Sequence, residues 1–98
     1  MILTTTDSIE GHKIIDYLGL VSGISTHVKA AFSFKTEKNT NMMSDVINKA
    51  KEDAFQNLKD HAIKLKANAV VGIQLDMETH VGSHFFISVT GTAVKVQV

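Results

Sequence analysis

Strict alternation of apolar and polar residues identifies two strands near the end of the chain. After residue 68, every second residue is apolar through Val71, Ile73, Leu75 and Met77. Residues 85–98 also alternate, but their apolar positions change parity from Phe85, Ile87 and Val89 to Val94, Val96 and Val98. Successive side chains of a strand point to opposite faces, so a change of parity predicts a bulge that shifts the phase. We expect that bulge at Gly91.

The first third of the chain predicts three further strands. Residues 1–6 form a short strand before the turn-like "DSIEG", and residues 27–35 alternate as a strand with one apolar face. Between them, residues 13–25 carry apolar side chains in both phases: Ile14, Leu18, Leu20 and Ile24 in one, and Ile15, Tyr17 and Val21 in the other. A strand with two apolar faces needs a cover on each of them.

One long amphipathic helix is predicted between these two groups of strands. From Met43 to Lys66 the apolar residues form one stripe at helical spacing: Met43, Ile47, Ala50, Ala54, Leu58, Ala62 and Leu65. The polar run "TEKNTN" before it predicts a loop. A single helix covers only one face of a sheet. We therefore expect a second copy of the chain to cover the other face of the strand at residues 13–25.

Composition and charge narrow the classes of partner. The 98 residues predict a single domain over residues 1–98, small enough that association would add usefully to its buried surface. Lys and Arg together number 10, as do Asp and Glu, so no net charge attracts nucleic acid or a membrane surface. The absence of cysteine excludes disulfides and thiolate catalysis and is typical of a reducing cytoplasm, where we expect the protein.

Catalytic motifs are missing from the sequence. It has no nucleophile elbow, no glycine-rich phosphate loop and no pair of carboxylates at a spacing typical of acid and base catalysis. We expect a protein that is not an enzyme and that holds no cofactor other than, in one alternative, a divalent metal.

Histidines are the side chains that indicate such a metal. His80 and His84 bracket the turn "HVGSH", and two imidazoles across a hairpin can bind a divalent ion, with Glu78 nearby as an oxygen ligand. The alternative is that both are solvated polar residues of a turn, which is the commoner case. His61 falls in the apolar stripe of the helix, where we expect a buried, hydrogen-bonded imidazole.

Three separated motifs resemble the YbjQ-like family of small bacterial proteins. They are "TTTDSIEGHKI" at the start, "ANAVVGIQLD" after the helix and "TGTAV" near the end, in the family's order. Residues 35–43 depart from the family pattern, which has a glycine pair, a basic residue and a serine before the helix. Lys66 also replaces the glycine that precedes "ANAV" in the family, so the left-handed residue at the helix end is either Lys66 or Asn68.

The resemblance implies a fold and an assembly. The fold is an α+β, dodecin-subunit-like two-layer sandwich, with one long helix on a small antiparallel sheet and extra short strands that join the subunits into a pentameric ring. Gly72 and Gly91 then mark places where helix, strand or neighbouring subunit approaches closely. The family is catalogued as "putative heavy-metal-binding", a description that the cysteine-free composition does not support.

These expectations combine into one leading hypothesis and two alternatives. The first is a non-enzymatic homo-oligomer, a pentamer, of uncharacterised cellular role, whose partner is another copy of itself. The second is a metal-binding assembly that uses its histidines. The third is a small-molecule pocket between subunits. Tyr17, Phe32 and Phe34 are candidates for its lining, but aromatic residues of a sheet more commonly belong to a core or an interface.

Overall fold

A mixed sheet of four strands carries one long helix in the computed structural model, which describes residues 1–25, 39–79 and 85–98. The elements are β1 (Ile2–Leu3), β2 (Ile14–Ile24), α1 (Asn39–Lys64), β3 (Ala69–Thr79) and β4 (Phe85–Val96). The strand order is β1-β3-β4-β2. Because β1 runs parallel to β3, the sheet is not the purely antiparallel one that we expected. The strand predicted at residues 27–35 lies outside the described residues.

The predicted helix is confirmed, but its two ends differ from the prediction. It begins at Asn39 rather than Met43 and ends at Lys64 rather than Lys66. Part of the predicted loop "TEKNTN" is therefore helical, since a polar run lacks the apolar spacing that indicates a helix but does not prevent one. Among the residues that the structure describes, no helix is long and apolar enough to cross a membrane.

Lys66 follows the helix in the left-handed conformation, with a φ of 64°. Its N–H donates to the carbonyl oxygen of Ile63 (2.9 Å), and the N–H of Ala67 donates to the carbonyl oxygen of Ala62 (3.1 Å). This pair of bonds is the Schellman motif, in which glycine is the usual left-handed residue. Of the two candidates, Lys66 therefore has the left-handed role, at a strain of about 1 kcal/mol.

The apolar stripe of α1 packs on β2 and β4. This helix-side core comprises Val21, Ala50, Ala54, Leu58, Ala62, Val70, Ile73, Ile87, Val89 and Ala93. The stripe predicted from the sequence is thus confirmed over its central four members. Leu75 and Met77 point to the same side of the sheet but stay exposed, because the helix lies over β2 and β4 rather than over the far end of β3.

The bulge expected at Gly91 does not occur in β4. The pairing of β4 with β2 continues through Gly91 without a register shift, and β3 carries an irregularity instead, between Val71 and Gln74. Two further register shifts lie in the first half of β2. They help to explain the two apolar phases of this strand, because each bulge moves the side chains that follow it to the other face.

A second, smaller core lies on the face of the sheet that points away from α1, which we call the open face. It contains Ala69, Val71, Val94 and Val96, on which the half-buried Ile2, Ile9 and Ile14 pack. The change of parity in β4 therefore marks a change in the covered face, from the α1 side to the open face. The expectation that the chain lacks a second cover is wrong for this half of the sheet, because its own N-terminal segment supplies one.

Gly23 is a point at which α1 comes very close to the sheet. A Cβ atom at this position would lie 2.5 Å from the backbone nitrogen of Leu58 and nearer still to the carbonyl oxygen of Ala54. Backbone atoms of a packed helix cannot give way as the end of a flexible side chain can. The contact between α1 and β2 therefore requires glycine here.

Gly23→Ala should destabilise the fold strongly. We expect the free energy of unfolding to fall by about 3 kcal/mol, because the added methyl group forces the helix away from β2. Urea denaturation measures this loss, and Gln56→Ala, on the exposed side of α1, is the control. An unfolding free energy equal to that of the control would contradict the close approach.

Candidate functional site

Half of the open face has no cover among the described residues. Three large side chains of β2 lie there, which we call the β2 apolar row: Tyr17, Leu20 and Ile24. They are 69%, 82% and 50% exposed, respectively. Their register partners on β4 place them on this face; Tyr17, for example, lies opposite Val94 of the open-face core. Exposed apolar side chains grouped in this way are typical of an interaction surface, so the row is the candidate site.

A groove runs beside the β2 apolar row. Its volume is about 380 Å³, and residues of three strands line it, among them Leu20, Ser22, Gln74, Thr90 and Thr92. None of its lining residues is charged, and their side chains offer three hydroxyl groups and one carboxamide. The groove is therefore suited to an uncharged group that forms hydrogen bonds.

Gly72 and Gly91 both lie at this groove, but for different reasons. Gly72 belongs to the β3 bulge and has a φ of 63°, and a Cβ atom there would meet only Oδ1 of Asp7, at 3.9 Å. Its backbone conformation, rather than a close neighbour, accounts for the glycine. At Gly91 the reason is space, because a Cβ atom would lie 2.6 Å from Cγ1 of Val70. Both glycines thus belong to the packing of the β3 bulge.

Asn68 connects the end of the helix to β4. Its Nδ2 donates to the carbonyl oxygen of Val96 (2.9 Å), and its Oδ1 accepts from the N–H of Val96 (2.8 Å). Its own N–H donates to the carbonyl oxygen of Val94 (3.2 Å). The side chain therefore extends the sheet ladder as a peptide group would, and its role here is structural.

His61 is exposed, contrary to the expectation of a buried histidine. It is nevertheless hydrogen-bonded, because its Nδ1 accepts from the backbone N–H of Ser22 (3.3 Å). One turn earlier on the same side of α1, Nδ2 of Asn57 donates to the carbonyl oxygen of Ile24 (2.8 Å). α1 lies along β2, the last strand of the described sheet. Residues at the border of the helix's apolar stripe therefore lie over the edge of the sheet rather than over its centre. Two helix side chains thus contact the edge of β2.

The described residues do not assemble a metal centre. No group of three His, Cys, Asp or Glu side chains among them could hold a metal ion. Glu78, expected as an oxygen ligand, is exposed near the end of β3, while His80 and His84 lie outside the described residues. The described part of the chain therefore does not fit a heavy-metal site, and the pair of histidines stays a prediction.

The described residues define a small α+β architecture, with one helix on a four-stranded mixed sheet. A crystal structure of a protein of unknown function from Pediococcus pentosaceus, assigned to the DUF74 family, shares this fold. The two align with a TM-score of 0.58 at 22% identity, over 100% of this chain and 97% of that one.

Sequence comparison then places the chain in a family. It matches the family YbjQ_1, described as "Putative heavy-metal-binding", over residues 1–97. It is also 36% identical to UPF0145 protein BH1111 of Halalkalibacterium halodurans over 104 aligned positions, which span 99% of this chain and 97% of that protein. The chain belongs to this family, and the resemblance in its three motifs is confirmed. These descriptions name no enzymatic activity.

Sequence reasoning missed two residues of this region. Asn57 is one, because a polar residue at the border of a helical stripe gives no signal that it binds a strand edge. Gly23 is another, although the small Ala54 at the facing position of the helix was a usable indication of close packing. Of the aromatic residues expected around a pocket, Tyr17 lies on the open face, and Phe32 and Phe34 lie outside the described residues.

Asn68→Ala should weaken the junction of α1 and β4. We expect the free energy of unfolding to fall by about 2 kcal/mol, because the N–H and the carbonyl group of Val96 both lose their partner in a partly buried place. Urea denaturation is the measurement, and Asn48→Ala, exposed on α1, is the matched control. Equal free energies of unfolding for the two variants would show that the two hydrogen bonds from the Asn68 side chain to Val96 contribute nothing to stability.

Proposed function

We propose that this protein is a non-enzymatic, cytoplasmic homo-oligomer, a pentameric ring, and that it assembles through the β2 apolar row. The observation that carries the proposal is the 82% exposure of Leu20, between Tyr17 and Ile24 on the uncovered half of the open face. Apolar surface is stabilised by removal from water at about 25 cal/mol per Å². Another copy of the same chain is a partner that is present wherever the protein is.

The size of the row supports a subunit interface. If a large side chain exposes ~200 Å² when free, the three residues expose roughly 400 Å² per copy, about half of the ~800 Å² that each partner buries in a standard interface. The formal net charge is 0, so no net repulsion opposes the approach of two copies. The absence of cysteine supports a reducing compartment such as the cytoplasm.

The number of subunits comes from the family resemblance, which implies pentameric rings. A ring requires a head-to-tail interface, in which one surface of a copy meets a different surface of the next. The exposed Leu75 and Met77 supply a second apolar surface. It lies on β3, which β4 separates from β2 in the sheet. The single helix layered on one face also supports the dodecin-subunit-like comparison.

Leu20→Ser should dissociate the assembly without unfolding the subunit. Leu20 makes few contacts within its own chain, so its loss removes interface surface and leaves both cores intact. We expect light scattering to give about five times the 10.7 kDa chain mass for the wild type and a much smaller mass for the variant.

Ile63→Ser is the matched control for this experiment. Ile63 is also a large, exposed apolar residue, at 59%, but it lies on α1 and not on the open face. We expect this variant to keep the wild-type mass. A wild-type protein that is a folded monomer at micromolar concentration, or a Leu20→Ser variant that keeps the full mass, would refute assembly through the row.

A second candidate function is the binding of an uncharged small molecule in the groove beside Leu20. The observation that favours it is the uncharged, hydroxyl-rich lining of this 380 Å³ space, which falls within the usual size range of small-molecule sites. Neighbouring subunits packed on the β2 apolar row would make the groove deeper. Leu20, rather than Phe32 or Phe34, would then line the pocket between subunits.

Thr90→Phe tests this candidate, because it fills the groove from an exposed position of β4. A ligand that binds only the native state raises the melting temperature. In a thermal-shift panel of uncharged and charged metabolites, we expect an uncharged compound to stabilise the wild type and not Thr90→Phe. A panel without any such compound, or one that shifts both proteins equally, counts against the groove as a site.

A further inference from the structure

The outer edge of β2 has identifiable polar groups. The N–H of Ser25 donates to the carbonyl oxygen of Ile87 on β4 (2.9 Å), so the odd-numbered residues at this end of β2 direct their backbone groups toward β4. Along an antiparallel pair these directions alternate. Ser22 and Ile24 therefore direct their N–H and carbonyl groups away from β4, toward the outer edge of the described sheet.

Two of these outward groups already have partners on α1. The N–H of Ser22 donates to Nδ1 of His61 (3.3 Å), and the carbonyl oxygen of Ile24 accepts from Nδ2 of Asn57 (2.8 Å). Asn57 and His61 are four residues apart, so they project side by side from one side of the helix. Together they occupy the positions that a further strand needs at this end of β2.

The other end of β2 is irregular. Its register against β4 shifts between Ile14 and Asp16 and again between Tyr17 and Gly19. Bulges and covering side chains are both means by which proteins prevent an edge strand from pairing with another chain. The edge of β2 thus resists strand addition at both of its ends, even though its neighbouring face exposes the β2 apolar row.

We infer that a second copy of this chain packs on the side chains of the β2 apolar row without adding a strand to β2, and that Asn57 and His61 are the positioning residues that enforce this mode. The inference rests on the proposed homo-oligomer and specifies how its subunits meet. The occupant is a second copy because the row alone supplies roughly half of the surface that a stable interface needs and the chain has no net charge.

The inference predicts what happens when the edge is freed. Without Asn57 and His61, the outward groups of Ser22 and Ile24 become available to any strand of another copy. Each oligomer would then carry several freed edges, so that pairing of one edge with the edge of another oligomer leaves others available and has no fixed end point. Assembly should then grow with concentration instead of stopping at one size.

The experiment compares Asn57→Ala/His61→Ala with Gln56→Ala/Asp60→Ala. The control removes a hydrogen-bonded pair of the same spacing on the same helix, in which Nε2 of Gln56 donates to Oδ1 of Asp60 (3.0 Å) without contact to β2. We expect the Ser22 amide of the first variant to exchange at least tenfold faster in dilute solution, and its mass by light scattering to rise continuously with concentration. The control should keep the exchange rate and the mass of the wild type.

Single variants at His61 decide the matter if the double variant does not fold. His61→Ala removes the acceptor for the N–H of Ser22, whereas His61→Gln keeps an acceptor oxygen in reach. Growth with His61→Ala and not with His61→Gln supports the inference. Masses and Ser22 exchange rates that are equal to those of the control in all folded variants overturn it. A monomeric wild type refutes the proposed oligomer instead, and in that case the exchange rate of the Ser22 amide in the freed-edge variants still tests the protection of the edge.

Discussion

The close contact of α1 with β2 at Gly23 is the constraint on which the rest of the structure depends. It brings the helix backbone down onto the last strand of the described sheet. At this distance the side chains of Asn57 and His61 reach backbone groups of β2. The same placement leaves the far end of β3 without a helix above it, so Leu75 and Met77 stay exposed. Packing, edge protection and the exposed apolar surfaces thus share one cause.

The sheet is covered in two halves on opposite faces. The helix shelters one half, and the N-terminal segment shelters the other half from the opposite side, through Ile2 and Ile9. β4 runs through both, which is why its apolar residues change parity without a bulge. Among the residues that the structure describes, the part of the open face next to β2 has no cover, and Leu20 is the most exposed side chain of the row there. The uncovered apolar surface is smaller than expected for a sheet that only one helix covers, but it is concentrated next to β2.

Periodicity predicted the elements whose burial is regular and failed where covering is irregular. The helical stripe from Ala50 to Ala62 was predictable because it buries one continuous side. The strand after residue 68 was predicted as an element, but the bulge in β3 places its Val71 and Ile73 in opposite cores. The parity change around Gly91 was predicted as a bulge because alternation reports which residues are buried and not which element buries them. The groove and the bond from Asn57 to Ile24 depend on the distance between α1 and β2, which no local pattern encodes.

The central proposal is that the β2 apolar row, an exposed patch on the described sheet, is a subunit interface that other copies bury. Sedimentation velocity of the wild-type protein over a dilution series tests this most directly. The account predicts one finite species, several times heavier than the 10.7 kDa chain, that persists to micromolar dilution. A folded species that sediments with the mass of a single chain throughout the series would contradict it.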